Sequence, residues 1–441
     1  METNMQQTRF AILVIALLGG PFMNMSLAQT ALPDAEASDP QKLGWMQGFP
    51  PAPDKIIKFA NGSNYQFPRT RWSFSHGREL GPTSNIWHGT GPVSALPVAL
   101  GKPGELDQLR FADEKGTDIS WVDMQARTYT DSILVLHKGK IVYERYLGIT
   151  KPHLPHIAMS VTKSFVGTLA ASLAAEGKLD PMASVTQYIP ELKDTAYGDA
   201  TVRQVMDMTI GVQYSEVYAD PKAEIWDYAR SGGLLPTAPT YDGPKTFYDF
   251  LVKLKKEGRH DEAFAYKTVN AEVLAWILRR ASGQNLSDLL SERIWQKLGT
   301  ENDAYFAVDS VGTEQGGGGL NLTLRDMARF GEMMRLNGKF NGQQIIPAAA
   351  VEDIRKGADP ARFAKAGYAT LPGYSYRNMW WVGHNSHQTF EARGIHGQRI
   401  YIDPVAEMVI VKFSSHPVAA NGATDPVTYR AFQAMANHLM K

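Results

Sequence analysis

His156-Ile157-Ala158-Met159-Ser160-Val161-Thr162-Lys163-Ser164-Phe165 is the stretch that decides the fold. A helical apolar pattern begins inside it. Phe165, Val166, Leu169, Ala170, Leu173 and Ala174 recur at i, i+3 and i+4, which predicts a helix with one buried face. Gly177 suits the C-terminal cap, and Asp180-Pro181 stops continuation. Ser160 stands at the start of this helix and Lys163 one turn on, so both fall on one face. A serine hydroxyl is a weak nucleophile at neutral pH, and a nearby amine can take its proton. The helix N-terminus favours developing negative charge. The same position equally suits a serine that only caps the helix. Ser-x-x-Lys is short enough to arise by chance, so other segments must decide between nucleophile and cap.

Working outward, two β-rich runs precede the helix. Ser132–His137 and Ile141–Tyr146, joined by Lys138-Gly139-Lys140, predict a hairpin. Residues 185 to about 355 read as mainly helical, with helices expected over Val202–Met208, Ala271–Ala281 and Asp326–Asn337. Strands return in a second hairpin, Arg399–Ile402 and Met408–Phe413 about Asp403-Pro404, before a last helix from about Pro426 to Met440. Strands at both ends with helices between predict an α+β fold: one antiparallel sheet flanked by helices, with a mainly helical region inserted. Residues 29–110 are rich in Pro and Gly. They read as an arm wrapping the core domain of residues 111–441, with a short strand expected at Arg71–His76.

The 441 residues carry 45 basic and 45 acidic side chains. Such a balance offers no one-signed field to recruit nucleic acid or an anionic membrane. There is no cysteine, which excludes disulfides, thiolate metal sites, a cysteine nucleophile and a lipidated N-terminal cysteine. Arg9, the apolar run Phe10–Leu18 and Ser26-Leu27-Ala28 have the layout of a secretory leader. The apolar run is too short for a span of ~20 residues. Residues 1–28 are therefore expected to be removed, leaving 413 of the 441 residues in the periplasm or outside the cell, with no stable membrane anchor. Export without disulfides suits a Gram-negative periplasm.

Two further segments could serve chemistry. Phe264-Ala265-Tyr266-Lys267-Thr268-Val269-Asn270 leads into a helix and could bring a phenol and an amide to one cleft. A phenol beside an ammonium can share its proton in acid–base steps, although a buried tyrosine often only bonds backbone. Glu391–Gln398 is glycine-bearing and runs into a strand. Such an edge can approach a ligand closely and offer a backbone N–H to an oxyanion, with the N–H of Ser160 as the second donor. His396 is a candidate there, against the commoner role of a structural hydrogen-bonder. His153/His156 and His384/His387 have ligand-like spacing but no third ligand beside them, so no metal site is expected. Gly316–Gly319 lacks the Lys-[Ser/Thr] of a phosphate loop.

Taken together, Met159-Ser-Val-Thr-Lys-Ser164, Tyr214-Ser-Glu-Val-Tyr218-Ala-Asp-Pro221, Val273-Leu-Ala-Trp-Ile277, Gly394-Ile-His-Gly-Gln398 and Val409-Ile-Val-Lys-Phe-Ser-Ser415 resemble the serine β-lactamase/penicillin-binding superfamily. The likeness is to its class C-like branch, above all 6-aminohexanoate-dimer hydrolases and related esterases. It runs from about Arg71 to the C-terminus. It implies Ser160 as nucleophile, Lys163 as the group that accepts or stabilises its proton, and Tyr266 as the proton shuttle to the leaving group. It also implies Tyr218 as a second tyrosine at the scissile bond, and Ile395 or Gln398 as the second oxyanion donor. Asn270 and His396 are further candidates for substrate contact. Two departures stand out. Arg393-Gly394-Ile395 or Ile395-His396-Gly397 replaces the Lys-Thr-Gly of β-lactamases. Ala229 falls where efficient nylon-dimer hydrolases carry an acid, with Asp227 and Glu224 nearby. The resemblance therefore implies a serine hydrolase acting through an acyl-enzyme on a small ester or amide, without cofactor. A D,D-peptidase or β-lactamase, or a non-catalytic binding or sensor domain, are the alternatives.

Overall fold

Two hairpins from opposite ends of the chain meet in one sheet. The computed structural model describes residues 32–441, so the expected leader lies outside the described residues. The core elements, in chain order, begin with β1 (Thr83–Ile86), β2 (Thr130–His137), β3 (Lys140–Tyr146), β4 (His156–Ile157) and α1 (Val161–Ala175). Next come α2 (Glu224–Ser231), α3 (Thr268–Ser282), β5 (Ala304–Ala307), β6 (Leu320–Leu322) and α4 (Leu324–Arg335). The last are β7 (Ser375–Arg377), β8 (Trp380–Val382), β9 (Phe390–Gly394), β10 (Gln398–Asp403), β11 (Met408–Ser414) and α5 (Asp425–Leu439). The main sheet is antiparallel, in the order β7-β8-β9-β10-β11-β2-β3. Its centre is the pairing of β11 with β2, Val411 opposite Leu134 and Val409 opposite Leu136.

Helices cover both faces of this sheet, which explains the unbroken apolar run Ile133–Leu136. Successive strand residues point to opposite faces. Leu134, Leu136, Ile400, Ile402, Val409 and Val411 join the core that contains α1 and α4. Ile133, Val135, Tyr401, Met408 and Ile410 join a second core under α5, with Trp121 and Phe432. The antiparallel sheet between helices is the fold class expected.

A smaller antiparallel sheet, in the order β1-β5-β6-β4, anchors the Ser160 turn. Ala158 N donates to Leu320 O at 2.8 Å, and His156 lies opposite Leu322. Two of its strands, β5 and β6, lie inside the region read as helical. They are four and three residues long, and their neighbours come from distant parts of the chain. No local period marks strands that short. The strand expected at Arg71–His76 is also corrected. Thr70–Ser73 forms a helical turn, closed by Ser73 N to Arg69 O at 3.0 Å and Phe74 N to Thr70 O at 3.2 Å. Its aromatic residues Trp72 and Phe74 are buried without a strand face.

Residues 32–110 lie against the rest of the chain at several points. β1 pairs with β5, and Ile157 N donates to Phe74 O at 2.8 Å. The strongest tie is buried and ionic. Arg71 Nη1 donates to Asp131 Oδ1 at 2.8 Å, and the other carboxylate oxygen faces His156 Nε2 at 3.1 Å. Ser415 Oγ donates to Asp131 at 3.0 Å. Removing one member of a buried charge cluster strands the others in low dielectric. Asp131→Ala is therefore expected to cost about 3–5 kcal/mol, read by denaturant unfolding. A loss below about 1 kcal/mol would show that the cluster is not a clamp.

Candidate active site

Ser160 occupies the N-cap position of α1, yet its side chain makes no capping hydrogen bond. The hydroxyl is left to the lysine. Lys163 Nζ donates to Ser160 Oγ at 2.9 Å and to Gly317 O at 2.6 Å. Both residues are buried, Lys163 at 1% exposure and Ser160 at 8%. Burial pushes the lysine down to about 8, against the opposing fields of Glu216 and Glu272. Met159, the residue before Ser160, is held at a positive φ of 48°. Such a conformation costs a β-carbon residue on the order of 1–3 kcal/mol and is kept only where surroundings enforce it. Here Met159 is buried, and its carbonyl accepts from Thr162 N at 3.0 Å.

Tyr266 enters the site from the residues just before α3. Its ring stacks on Trp381 at 5.3 Å and meets the edge of Tyr376 at 6.0 Å. Lys163 Nζ lies 5.2 Å from its ring centroid. Its phenol faces the Ser160 hydroxyl. Burial, reinforced by Glu216, holds the phenol well above its ordinary pKa, so it is protonated at neutral pH. Tyr218 donates to Glu216 Oε1 at 2.7 Å and packs its ring against Trp226. Glu216 also accepts from Thr268 N at 2.6 Å and Thr268 Oγ1 at 2.7 Å. It thereby ties the Tyr218 loop to the N-terminus of α3.

The end of β9 closes the other side. A β-carbon at Gly394 would stand 2.7 Å from Ala158 O, so only glycine lets this strand reach the Ser160 turn. Among the described residues, neither the N–H of Ser160 nor that of Ile395 has a hydrogen-bond partner. Gln398 differs. Its side chain accepts from Ser414 N at 2.9 Å and donates to Ser414 O at 2.6 Å. His396 directs Nδ1 to His416 O at 2.7 Å and places its ring edge-on to Phe74 at 5.2 Å. Burial pushes it down to about 4, which keeps the imidazole neutral.

Asn270 is not brought to the cleft, and its expected place there is corrected. It is fully buried in α3, and its Oδ1 accepts from Tyr197 OH at 2.8 Å. Two residues into the helix, it has rotated away from Tyr266 towards the interior. Three of the four paired histidines are occupied elsewhere: His156 faces Asp131 at 3.1 Å, His384 contacts Ser375 Oγ at 2.7 Å, and His387 contacts Asp403 at 2.7 Å. Among the described residues no group of three or more His, Asp or Glu side chains is placed to hold a metal ion. Trp381, Glu216 and Glu272 border the site without having been singled out in the sequence. Glu216 alone had a signal, since it stands two residues before Tyr218.

A family model described as Beta-lactamase matches residues 122–434. The chain belongs to the β-lactamase-like family of hydrolases. It is 35% identical over 353 residues to the 6-aminohexanoate-dimer hydrolase of Paenarthrobacter ureafaciens, covering 79% of this chain and 86% of that one. A solved structure from Bacillus anthracis, assigned as a 6-aminohexanoate-dimer hydrolase, superimposes with a TM-score of 0.80 at 34% identity. That match covers 88% of this chain and 98% of the other. EstCE1, a hydrolase with promiscuous acyltransferase activity, shares the fold at 14% identity, with a TM-score of 0.57 over 71% of this chain and 95% of its own.

The buried lysine makes stability depend on pH. Its folded pKa of about 8 lies below the ordinary 10.5. Between these values the unfolded chain holds a proton that the folded chain has released, so rising pH favours folding. Relative to Lys163→Met, the wild-type protein should gain stability as pH rises from about 8 to 10.5, in paired denaturant melts. A constant difference between the two proteins across that window would contradict it.

Proposed function

We propose that this protein is an exported serine hydrolase that cleaves a small carboxylic ester or amide through an acyl-enzyme. The observation that carries the reading is the uncapped Ser160 hydroxyl, 2.9 Å from a buried lysine nitrogen. With its pKa near 8, Lys163 is partly neutral in mildly alkaline water. The neutral amine receives the Ser160 proton as Oγ attacks the carbonyl. The N–H groups of Ser160 and Ile395 hold the oxyanion. Ile395 is preferred to Gln398 because the Ile395 N–H has no partner among the described residues, whereas Gln398 stands opposite Gly394 in the β9–β10 ladder. Tyr266, protonated by virtue of its burial, gives a proton to the leaving alcohol or amine, and Tyr218 assists it. Water then releases the acid. A neutral His396 fits a wall against the substrate better than a general base.

Substrate class follows from the charges near the site. Asp227 is paired with Arg230 at 2.6 Å, and Glu224 accepts from Ser215 N at 2.9 Å. Neither compensates for Ala229 as a free partner for a substrate amine, which argues against nylon-type dimers. Arg393 is committed to Asp425 at 2.7 Å and to Tyr429 at 2.7 Å. It does not serve as the cation that would grip a β-lactam carboxylate. Export rests on the leader-like residues 9–28. Protein confined to the cytoplasm with a sequence that begins at Met1 would reject it.

The mechanism predicts two results with p-nitrophenyl esters. Ser160→Ala should lower kcat/KM by at least about a thousandfold while leaving the circular dichroism spectrum intact. The wild-type kcat/KM should rise with pH on a limb centred near 8, as Lys163 loses its proton. Undiminished turnover by the Ser160 variant would end this reading. Turnover of nitrocefin would favour the cell-wall alternative. Failure of a fluorophosphonate to label the protein would favour a binding domain.

A further inference from the structure

The loop between β5 and β6 contains Gly316-Gly317-Gly318-Gly319, and its carbonyl at Gly317 is the second partner of Lys163 Nζ. A glycine run is the least likely segment to hold a carbonyl steady, because it has the most backbone freedom to lose. What fixes it is a carboxylate from α3. Gly316 N donates to Glu272 Oε2 at 2.9 Å, and Gly317 N donates to Glu272 Oε1 at 2.7 Å. The two oxygens of one carboxylate thus take two successive backbone N–H groups. That grip sets the plane of the peptide between Gly316 and Gly317, and so the direction of the next carbonyl.

The carboxylate is itself held. Tyr228 OH donates to Glu272 Oε1 at 2.6 Å, and Gln315 Nε2 donates to Tyr228 OH at 3.0 Å. Glu272 is 2% exposed. A carboxylate so buried, with three of its about four acceptor sites filled by the protein, is closed to substrate, and nothing in the hydrolysis consumes it. The glycines are sterically necessary as well. A β-carbon at Gly316 would stand 2.6 Å from Ala275 Cβ. One at Gly317 would stand 2.5 Å from Thr268 Cγ2 and 2.8 Å from Glu272 Oε1. The loop lies flat on α3 because it has no side chains there.

We infer that Glu272 is a positioning residue: through the Gly316 and Gly317 N–H groups it aims the Gly317 carbonyl at Lys163 and so aims Lys163 Nζ at Ser160. This rests on the reading of Ser160 and Lys163 as the reacting pair. The carboxylate also supplies negative charge to Lys163 from beyond the loop. Losing it removes both an anion and a well-placed acceptor, and both losses favour the neutral amine. The pH signature is therefore distinct from that of simple destabilisation.

The test is Glu272→Gln in the full-length protein, with ester hydrolysis and fluorophosphonate labelling of Ser160 followed from pH 6 to 10. Gln has one acceptor oxygen, so one loop N–H then faces an N–H donor. The expected result is a 10- to 100-fold fall in the labelling rate and in kcat, with KM changed less than threefold. The ascending limb should move at least half a pH unit lower. Gly317→Ala keeps the carboxylate but displaces the carbonyl. It should slow labelling in the same way, and it carries the test if Glu272→Gln does not fold. Wild-type labelling that survives Ser160→Ala would overturn the Ser160 reading itself. Ser160-dependent labelling in wild type, with rate and limb unchanged in a folded variant, would overturn only the role of Glu272. A fall in the number of labelled sites, with the limb unmoved, would mark Glu272 as merely structural and equally overturn it.

Discussion

The constraint on which the rest depends is a lysine nitrogen held out of water. An amine inside a protein resists protonation because the ammonium form loses its hydration there. At Lys163 this cost is set against one hydroxyl, one carbonyl and two carboxylates at a distance. The nitrogen must stay buried to remain basic in the useful range, and it must stay bonded to remain aimed. Both demands fall on surrounding elements. α1 supplies the turn that brings Lys163 over Ser160, the β5–β6 loop supplies the carbonyl, and the ring of Tyr266, stacked on Trp381, lies against the nitrogen.

Seen from that nitrogen, the two sheets have different tasks. The small sheet fixes the backbone of the Ser160 turn, through His156 on β4, Ala158 just after it and the β6 strand beside them. The large sheet delivers the end of β9, and the missing side chain at Gly394 lets that end touch the same turn. Two strained residues stand at the junction, where Met159 and His396 both carry positive φ angles. Such residues survive only in a frame rigid enough to over-determine them. The helix-covered sheet and the Arg71–Asp131–His156 cluster provide that frame.

The parts of this design that were legible in the sequence are those governed by local periods. The i, i+3 spacing of Ser160 and Lys163 and the apolar face behind them are set within one helix. The β-rich runs around Lys138-Gly139-Lys140 and Asp403-Pro404 needed only their own turns to be recognised. The parts that were not legible are set by contacts across the chain. Glu272 lies 44 residues from Gly316, and no spacing rule links a helical glutamate to a distant glycine loop. Asn270 looked like a cleft residue because it stands one turn from Tyr266. Helical rotation sends it to Tyr197 instead. β5 and β6 are too short to show a period, and their strand character comes wholly from the partners beside them.

The pairing of β2 with β11 has a consequence for how the protein is made. The central strands of the main sheet come from residues 130–137 and 408–414, and Arg71 reaches Ser415 across 344 positions. Contacts of that sequence separation impose a loop-closure cost that must be met before they return any stabilisation. A ribosome that has released the first 300 residues has released only one half of the sheet's middle. The early hairpin waits with its β2 edge unpaired, and an unpaired apolar edge invites aggregation. The sheet closes only after nearly the whole chain has emerged. The topology therefore couples correct folding to completion of the C-terminal strand, and a nascent chain kept unfolded until that moment avoids the exposed edge altogether.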